Sequence, residues 1–238
     1  RRVGKTVMMR KIVDNYSGRT MMLNGEDYDT LALLENRSIA NYRHLLDGID
    51  LLAIDEAQNI PQIGSILKLI VDEIPGISVL ASGSSSFDLL NKTGEPLVGR
   101  STQFLLTPFS QREIAQIETP FETRQNLEAR LIYGSYPEVV MMENYERKTD
   151  YLRDIVGAYL LKDILAIDGL KNSSKMRDLL RLIAFQLGSE VSYDELGKQL
   201  SMSKTTVEKY LDLLEKVFVI YRLGAYSRNL RKEVTKAG

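Results

Sequence analysis

The 238-residue sequence contains no cysteine, which excludes disulfide bonds and every thiolate metal site and fits a reducing compartment. It also lacks an excess of charge of either sign. With 31 Lys and Arg against 32 Asp and Glu, no global field drives the chain onto nucleic acid or an anionic membrane, so any such binding has to come from a local patch. No apolar run approaches the ~20 residues needed to span a bilayer, and Arg1-Arg2 does not open a signal peptide. The expectation is a cytoplasmic protein with no membrane partner. His44 is the only histidine and has no metal-ligand neighbours, so it reads as a surface or core residue. Hydrophobic residues make up 44% and charged residues 26%, a composition that folds, and the length allows one large or two modest domains.

Met9, Ile12, Val13 and Tyr16 recur at helical spacing and predict a helix that leaves the turn at Gly4-Lys5. Three short apolar runs follow, each read as a strand: Thr20 to Leu23, closed by Asn24-Gly25; Leu51 to Ile54, closed by two acids; and Ile77 to Ala81, closed by a serine-rich stretch from Ser82 to Ser86. A helix is expected over Ser65 to Ile74, and a fourth strand over Thr102 to Leu106, ended by Pro108. Strands alternating with helices predict an α/β fold with a parallel sheet, whose ligands gather at the carboxyl ends of the strands. Beyond Ser110 the pattern turns helical for a long stretch.

A phosphate-binding loop consists of a glycine, four residues, then Gly-Lys and Ser or Thr. Arg1-Arg2-Val3-Gly4-Lys5-Thr6 supplies the second half of that pattern, and the first glycine is expected upstream of Arg1. Backbone N–H groups at the start of a helix, together with its dipole, favour an anion. Arg2, Val3, Gly4, Lys5, Thr6 and Val7 are the expected nucleotide contacts, with Lys5 reaching the β- and γ-phosphates and the Thr6 hydroxyl ligating magnesium (Mg2+). Asp55 and Glu56 fall at the tip of a buried strand, where an acid needs a partner. Asp55 suits the metal, directly or through water, and Glu56 suits the positioning and deprotonation of an attacking water. The competing reading is that both acids cap the following turn.

The loop at Arg1–Thr6, the stretch Leu51-Leu52-Ala53-Ile54-Asp55-Glu56-Ala57-Gln58, Leu80 to Ser85, Leu97-Val98-Gly99-Arg100 and Leu106-Thr107-Pro108-Phe109-Ser110 occur in this order. Together they resemble the prokaryotic AAA-type ATPases that join a P-loop domain to a winged helix and a C-terminal restriction-endonuclease-like domain. The resemblance covers essentially the whole chain and implies ATP as the nucleotide. It places Ser84 at a polar sensor position, contacting the γ-phosphate or the water; the alternative is an N-cap for a helix over Phe87 to Leu90. Arg100 takes the place of an arginine finger acting on a neighbouring subunit of a homo-oligomer, against the alternative of a surface salt bridge. Gln58 matches a recurrent position without a role that its chemistry assigns. Tyr133-Gly134-Ser135-Tyr136-Pro137-Glu138 corresponds to a Gly-Gly-Tyr-Pro type turn in which Ser135 replaces the second glycine, and reads as structural.

Helices over Met176 to Leu187, Asp194 to Leu200 and Lys204 to Lys216, followed by a strand over Val217 to Leu223, have the order of a winged helix. That order makes Lys204 to Lys216 the expected recognition helix, with Ser203, Lys204, Thr205 and Lys209 as the contacts offered to DNA. Glu208, Asp212 and Glu215 lie on the same helix, so a protein partner is the alternative. Arg222, Arg228, Arg231, Lys232 and Lys236 outnumber Glu233 in the final stretch, which reads either as support for DNA binding or as a solvated loop. The expected division is a P-loop core over 1–110, a helical lid or linker over 111–170, a winged helix over 171–225 and the start of a further region over 226–238. The expected activity is magnesium-dependent hydrolysis of ATP, with a nucleotide-dependent switch of little turnover as the alternative.

Overall fold

The computed structural model describes residues 2–83, 97, 99–160 and 173–223. The chain divides into two compact units, Arg1–Leu152 and Arg153–Gly238. Among the described residues of the first unit, a three-stranded parallel sheet runs in the order β1 (Thr20–Asn24), β2 (Leu51–Asp55), β3 (Ser78–Ala81). All five residues of β2 are buried. That burial explains its unbroken apolar run, because a strand flanked by parallel neighbours and covered on both faces has no solvent side to alternate with. The register sets Asn24 beside Asp55 and Ile54 beside Ala81, so the carboxyl ends of the three strands finish together.

The helix α1 (Lys5–Asp14) precedes β1; α2 (Tyr28–Glu35) and α3 (Ile39–Leu45) lie between β1 and β2; α4 (Ile63–Glu73) links β2 to β3. Asp27 and Ser38 start α2 and α3 as N-caps, accepting hydrogen bonds from the backbone N–H groups of Asp29 and Asn41. Ile63, Ile66, Leu67 and Ile70 of α4 follow i, i+3, i+4, i+7 spacing, and all are buried in a core with Leu34, Tyr42, Leu46, Leu52 and Ile54.

The strand expected over Thr102 to Leu106 is not formed. Phe104 is 87% exposed and Leu105 57% exposed, and without a partner strand an apolar run has neither a ladder nor a face to bury. Past it come α5 (Gln111–Ile114), α6 (Pro120–Gln125), α7 (Leu127–Tyr133), α8 (Pro137–Met141) and α9 (Tyr145–Asp154). Ser110 with Glu113, and Thr119 with Glu122, form reciprocal capping boxes at the starts of α5 and α6.

In the second unit, α10 (Ser173–Phe185), α11 (Tyr193–Leu200) and α12 (Lys204–Lys216) enclose Met176, Leu179, Leu196, Val207, Leu211 and Leu214. The turn between α11 and α12 is tight: the Met202 backbone N–H donates to the Gly197 carbonyl at 2.8 Å, and a Cβ on Gly197 would meet the Met202 carbonyl oxygen at 2.7 Å. The strand expected over Val217 to Leu223 is not formed, which corrects the expectation of a wing there. Val217 instead caps α12 and Phe218 turns at φ 60°, breaking the extended path a strand requires.

Candidate functional site

The site is built where α1 begins. Gly4 adopts φ 90°, ψ 17°, a left-handed conformation in which glycine carries no steric penalty. That turn releases the chain into α1, and the Gly4 carbonyl accepts the first helical bond from the Met8 N–H at 2.9 Å. No side chain caps this end and its first turn contains no acid of its own. Thr6, in the first turn, points its hydroxyl at Asp55 and donates to Oδ2 at 2.6 Å across 49 residues of sequence.

Asp55 is the centre of this arrangement. Only 6% exposed, it receives Thr6 on one oxygen, and on the other the Ser82 hydroxyl together with the backbone N–H of Glu56 at 3.1 Å. Burial pushes its carboxyl upward, but the hydrogen bonds from Ser82, Thr6 and Glu56, with the nearby Lys5 charge, outweigh it and hold the group below the ordinary aspartate value. Asp55 is therefore a charged acid in a largely dry position. Each strand end contributes: Ser82 follows β3, and its own N–H bonds to the Ile54 carbonyl at 2.9 Å.

The backbone turns sharply after Asp55. Glu56 sits at φ 47°, ψ 40°, costly for a residue with a side chain, and leads into a 3-10 turn over Ala57–Asn59. The turn is fastened from both sides by the Ala57 N–H to the Ser82 carbonyl at 2.8 Å and the Gly25 N–H to the Asp55 carbonyl at 2.8 Å. Gly25 is required by space: a Cβ there would lie 2.4 Å from the Glu56 carbonyl oxygen. Gln58, 5% exposed, donates from Nε2 to Glu56 Oε2 at 2.5 Å.

Oxygen donors suit magnesium, which takes one or two protein ligands and completes its octahedron with phosphate oxygens and water. Thr6 and Asp55 meet that requirement, because the Thr6 hydroxyl can keep donating its proton to Asp55 while a lone pair faces a cation. Among the described residues no cluster of three or more His, Cys, Asp or Glu is placed to hold a metal ion by itself.

The other expected residues lie elsewhere. Val7 is 72% exposed. Arg2, at φ 56°, turns toward the helical segment, where it pairs with Glu138 at 3.3 Å and lies 5.4 Å from the Tyr151 ring centroid. Arg100 donates from Nε to Asp72 at 2.6 Å. Asp72 is in the last turn of α4, which crosses from the carboxyl end of β2 to the amino end of β3, so this ion pair stands at the edge of the sheet opposite Asp55. Ser84 lies outside the described residues, as do Phe87 to Leu90 and the basic residues from Arg228 onward.

On α12, Ser203 is an N-cap that accepts from the Thr206 N–H at 3.1 Å, and Lys204 stands 3.5 Å from Asp194. Thr205 and Lys209 are exposed. Arg222 pairs with Asp212 and Glu215, so the first residue of the basic stretch meets the acids of α12. Sequence reading passed over Ser82 and Gly25. The signal for Ser82 was its position as the first polar residue after β3, level with Asp55; for Gly25 it was the Asn-Gly pair at the end of β1.

Residues 1–115 match a family model described as an AAA domain, and residues 124–238 match one described as a domain of unknown function (DUF8612). Uncharacterized proteins of Mycobacterium bovis and Mycobacterium tuberculosis are each 24% identical over 234 residues, covering 98% of this chain and 50% of theirs. An uncharacterized protein of Haemophilus influenzae is 26% identical over 158 residues, covering 62% of this chain and 39% of its own. The chain thus spans about half the length, or less, of these curated relatives. No solved structure matches. The AAA-domain match over an α/β core, with Gly4, Thr6 and Asp55 assembled at the strand ends, supports an AAA-type P-loop ATPase family for this part of the chain.

Proposed function

We propose that the chain binds ATP with magnesium at the Gly4–Thr6 loop and hydrolyses it to ADP and phosphate. The observation that carries this reading is the 2.6 Å bond between Thr6 and the buried, ionised Asp55. It ties the phosphate loop to the acidic strand in the arrangement that a metal-assisted phosphoryl transfer needs. The backbone N–H groups of the first turn of α1 and the Lys5 ammonium would hold the β- and γ-phosphates. Thr6 and Asp55 would hold magnesium, which when bound supplies positive charge against the phosphate oxygens. Glu56 takes the proton of the attacking water as its oxygen bonds to the γ-phosphorus and the bond to the β-γ bridging oxygen breaks, releasing phosphate and ADP.

Arg100 is the residue assigned to a neighbouring copy in a homo-oligomer. The position of its Asp72 pair, opposite Asp55, favours action in trans over action on its own site. An isolated subunit would then behave as a slow switch and gain turnover on assembly. The proposed organisation is a core over 1–110, a helical segment over 111–170, a partner-binding helical part over 171–225 and a further region from 226. Ser203, Lys204, Thr205 and Lys209, at the start of α12, are the proposed DNA contacts. Among the described residues no helix is long and apolar enough to cross a membrane.

The test is magnesium-dependent phosphate release by the full chain over a range of protein concentrations. Lys5→Ala should abolish tight ATP binding, and Glu56→Gln should bind ATP but turn over at least ~100-fold more slowly. Unchanged hydrolysis in either variant refutes the assignment. Salt-dependent binding of duplex DNA that weakens in Lys204→Ala and Lys209→Ala tests the α12 proposal; binding that is absent or insensitive to salt removes it.

A further inference from the structure

Gln58 has no role in the chemistry described so far, yet its position is closely defined. It lies in the 3-10 turn two residues after Glu56, with 5% of its surface exposed, and a buried amide is stable only when hydrogen-bonded. Its Nε2 donates to Glu56 Oε2 at 2.5 Å. That bond engages Oε2 and not Oε1 of the carboxylate. The turn that carries both side chains is fixed by the Ala57–Ser82 bond and by the Ile60 N–H to the Ala57 carbonyl at 3.1 Å. Glu56 holds a left-handed backbone conformation that its side chain disfavours, so its Cα–Cβ bond leaves the main chain in a fixed direction.

We propose that Gln58 is the positioning residue for Glu56: it ties one carboxylate oxygen and leaves the other to take the proton from water. The proposal rests on the ATPase reading above. A glutamate side chain at the end of a strand otherwise samples several rotamers, most of which aim its oxygens away from any one point. Restricting Oε2 through a buried donor converts a mobile acid into a base with one aligned lone-pair face, and misplacement by about 1 Å is worth around a hundredfold in rate. Gln58 contributes no proton and touches no reacting atom in this scheme.

The experiment uses the full chain and four proteins: wild type, Glu56→Gln, Gln58→Met and the double variant. Met nearly preserves the volume of Gln and removes the donor. Gln58→Met should lower kcat about tenfold to a hundredfold, the range for losing an outer partner of a catalytic group. KM and the affinity for a fluorescent ATP analogue should stay within about threefold, a split that a general loss of folding would not give. In the Glu56→Gln background, Gln58→Met should cost nothing further, because residues acting as one unit are not additive. If Gln58→Met does not fold, Gln58→Asn keeps the amide but shortens its reach, and it carries the same expectations. Loss of turnover in Glu56→Gln with kcat within about twofold of wild type in the Gln58 variant overturns this proposal and leaves the ATPase reading standing. Losses that multiply in the double variant also overturn it, since Gln58 would then act apart from Glu56. Unchanged turnover in Glu56→Gln overturns both readings at once.

Discussion

Replacing Thr6 with valine removes a hydroxyl and keeps the shape of the side chain, so it isolates the bond to Asp55 Oδ2. At neutral pH Asp55 is ionised and only 6% exposed, and the valine leaves one of its oxygens without the Thr6 donor. Losing a hydrogen bond to a buried charged group costs about 1.5–3 kcal/mol of folding stability. Thr6→Ser keeps the donor and loses one methyl group, a change of about 0.8 kcal/mol or less. The difference depends on pH. Because Asp55 is held below its ordinary value in the folded chain, its ionised-state contribution is complete above the unfolded value of about 3.9. That contribution is lost as pH falls through the lower, folded value. The valine penalty should therefore shrink in acid to the ~0.5–1.5 kcal/mol of a neutral hydrogen bond. Urea unfolding followed by far-ultraviolet circular dichroism, at pH 7 and at the lowest pH at which both proteins stay folded, measures it. A penalty below ~0.5 kcal/mol at pH 7, or one that stays constant into acid, refutes the view that Thr6 stabilises an ionised Asp55.

Gly25→Ala would set a Cβ 2.4 Å from the Glu56 carbonyl oxygen, a backbone atom that cannot swing aside, and should cost about 1–3 kcal/mol or more by thermal melting. It should also slow turnover, since the displaced atom belongs to the turn that carries the proposed base. Arg130→Met breaks the Arg130–Glu118 pair, whose side chains are 10% and 16% exposed, and should lower stability by about 1.5–3 kcal/mol. Burial pushes Glu118 upward, but Arg130, Asn126 and Thr123 outweigh it and hold the carboxyl low, so the loss should be full above pH ~4.3 and fade as pH falls through the folded value. Arg100→Ala should leave ATP affinity unchanged within about twofold while removing any rise of turnover with protein concentration; Asp72→Ala should keep that rise.

The three strands, α1 and α4 were readable because their signals are local, whereas α2 and α3 were not anticipated. Leu51 to Ile54 announced a strand buried on both faces, and the periodic apolar residues of α4 announced its one buried stripe. Asp55 and Thr6 were singled out because a phosphate loop and an acidic strand end have few chemical substitutes, and the fold brings their side chains to 2.6 Å of each other. What escaped was set by neighbours in space. Gln58 acquires its contact from the left-handed turn at Glu56, which nothing in Asp-Glu-Ala-Gln declares. Ser82 was overlooked beside Ser84 because choosing among adjacent serines needs the β2–β3 register. Residues 102–106 have strand-like composition, but composition does not supply a partner strand, and Phe104 faces solvent. The turn at Phe218 likewise overrides the β-branched and aromatic residues that suggested a strand.

Asp55 draws its partners from positions 49 residues before it and 27 residues after it, which fixes when the site can exist. Contacts of that separation form only after the intervening loops have closed, so they appear late on the folding route. During synthesis the carboxylate would remain an unremarkable solvated acid until Ser82 had emerged and β3 had docked. The lowering of its carboxyl below the ordinary aspartate value then becomes a signature of the finished sheet. A fragment ending before β3 would carry Gly4-Lys5-Thr6 and both acids and still lack the Ser82 donor that completes the surroundings of Asp55.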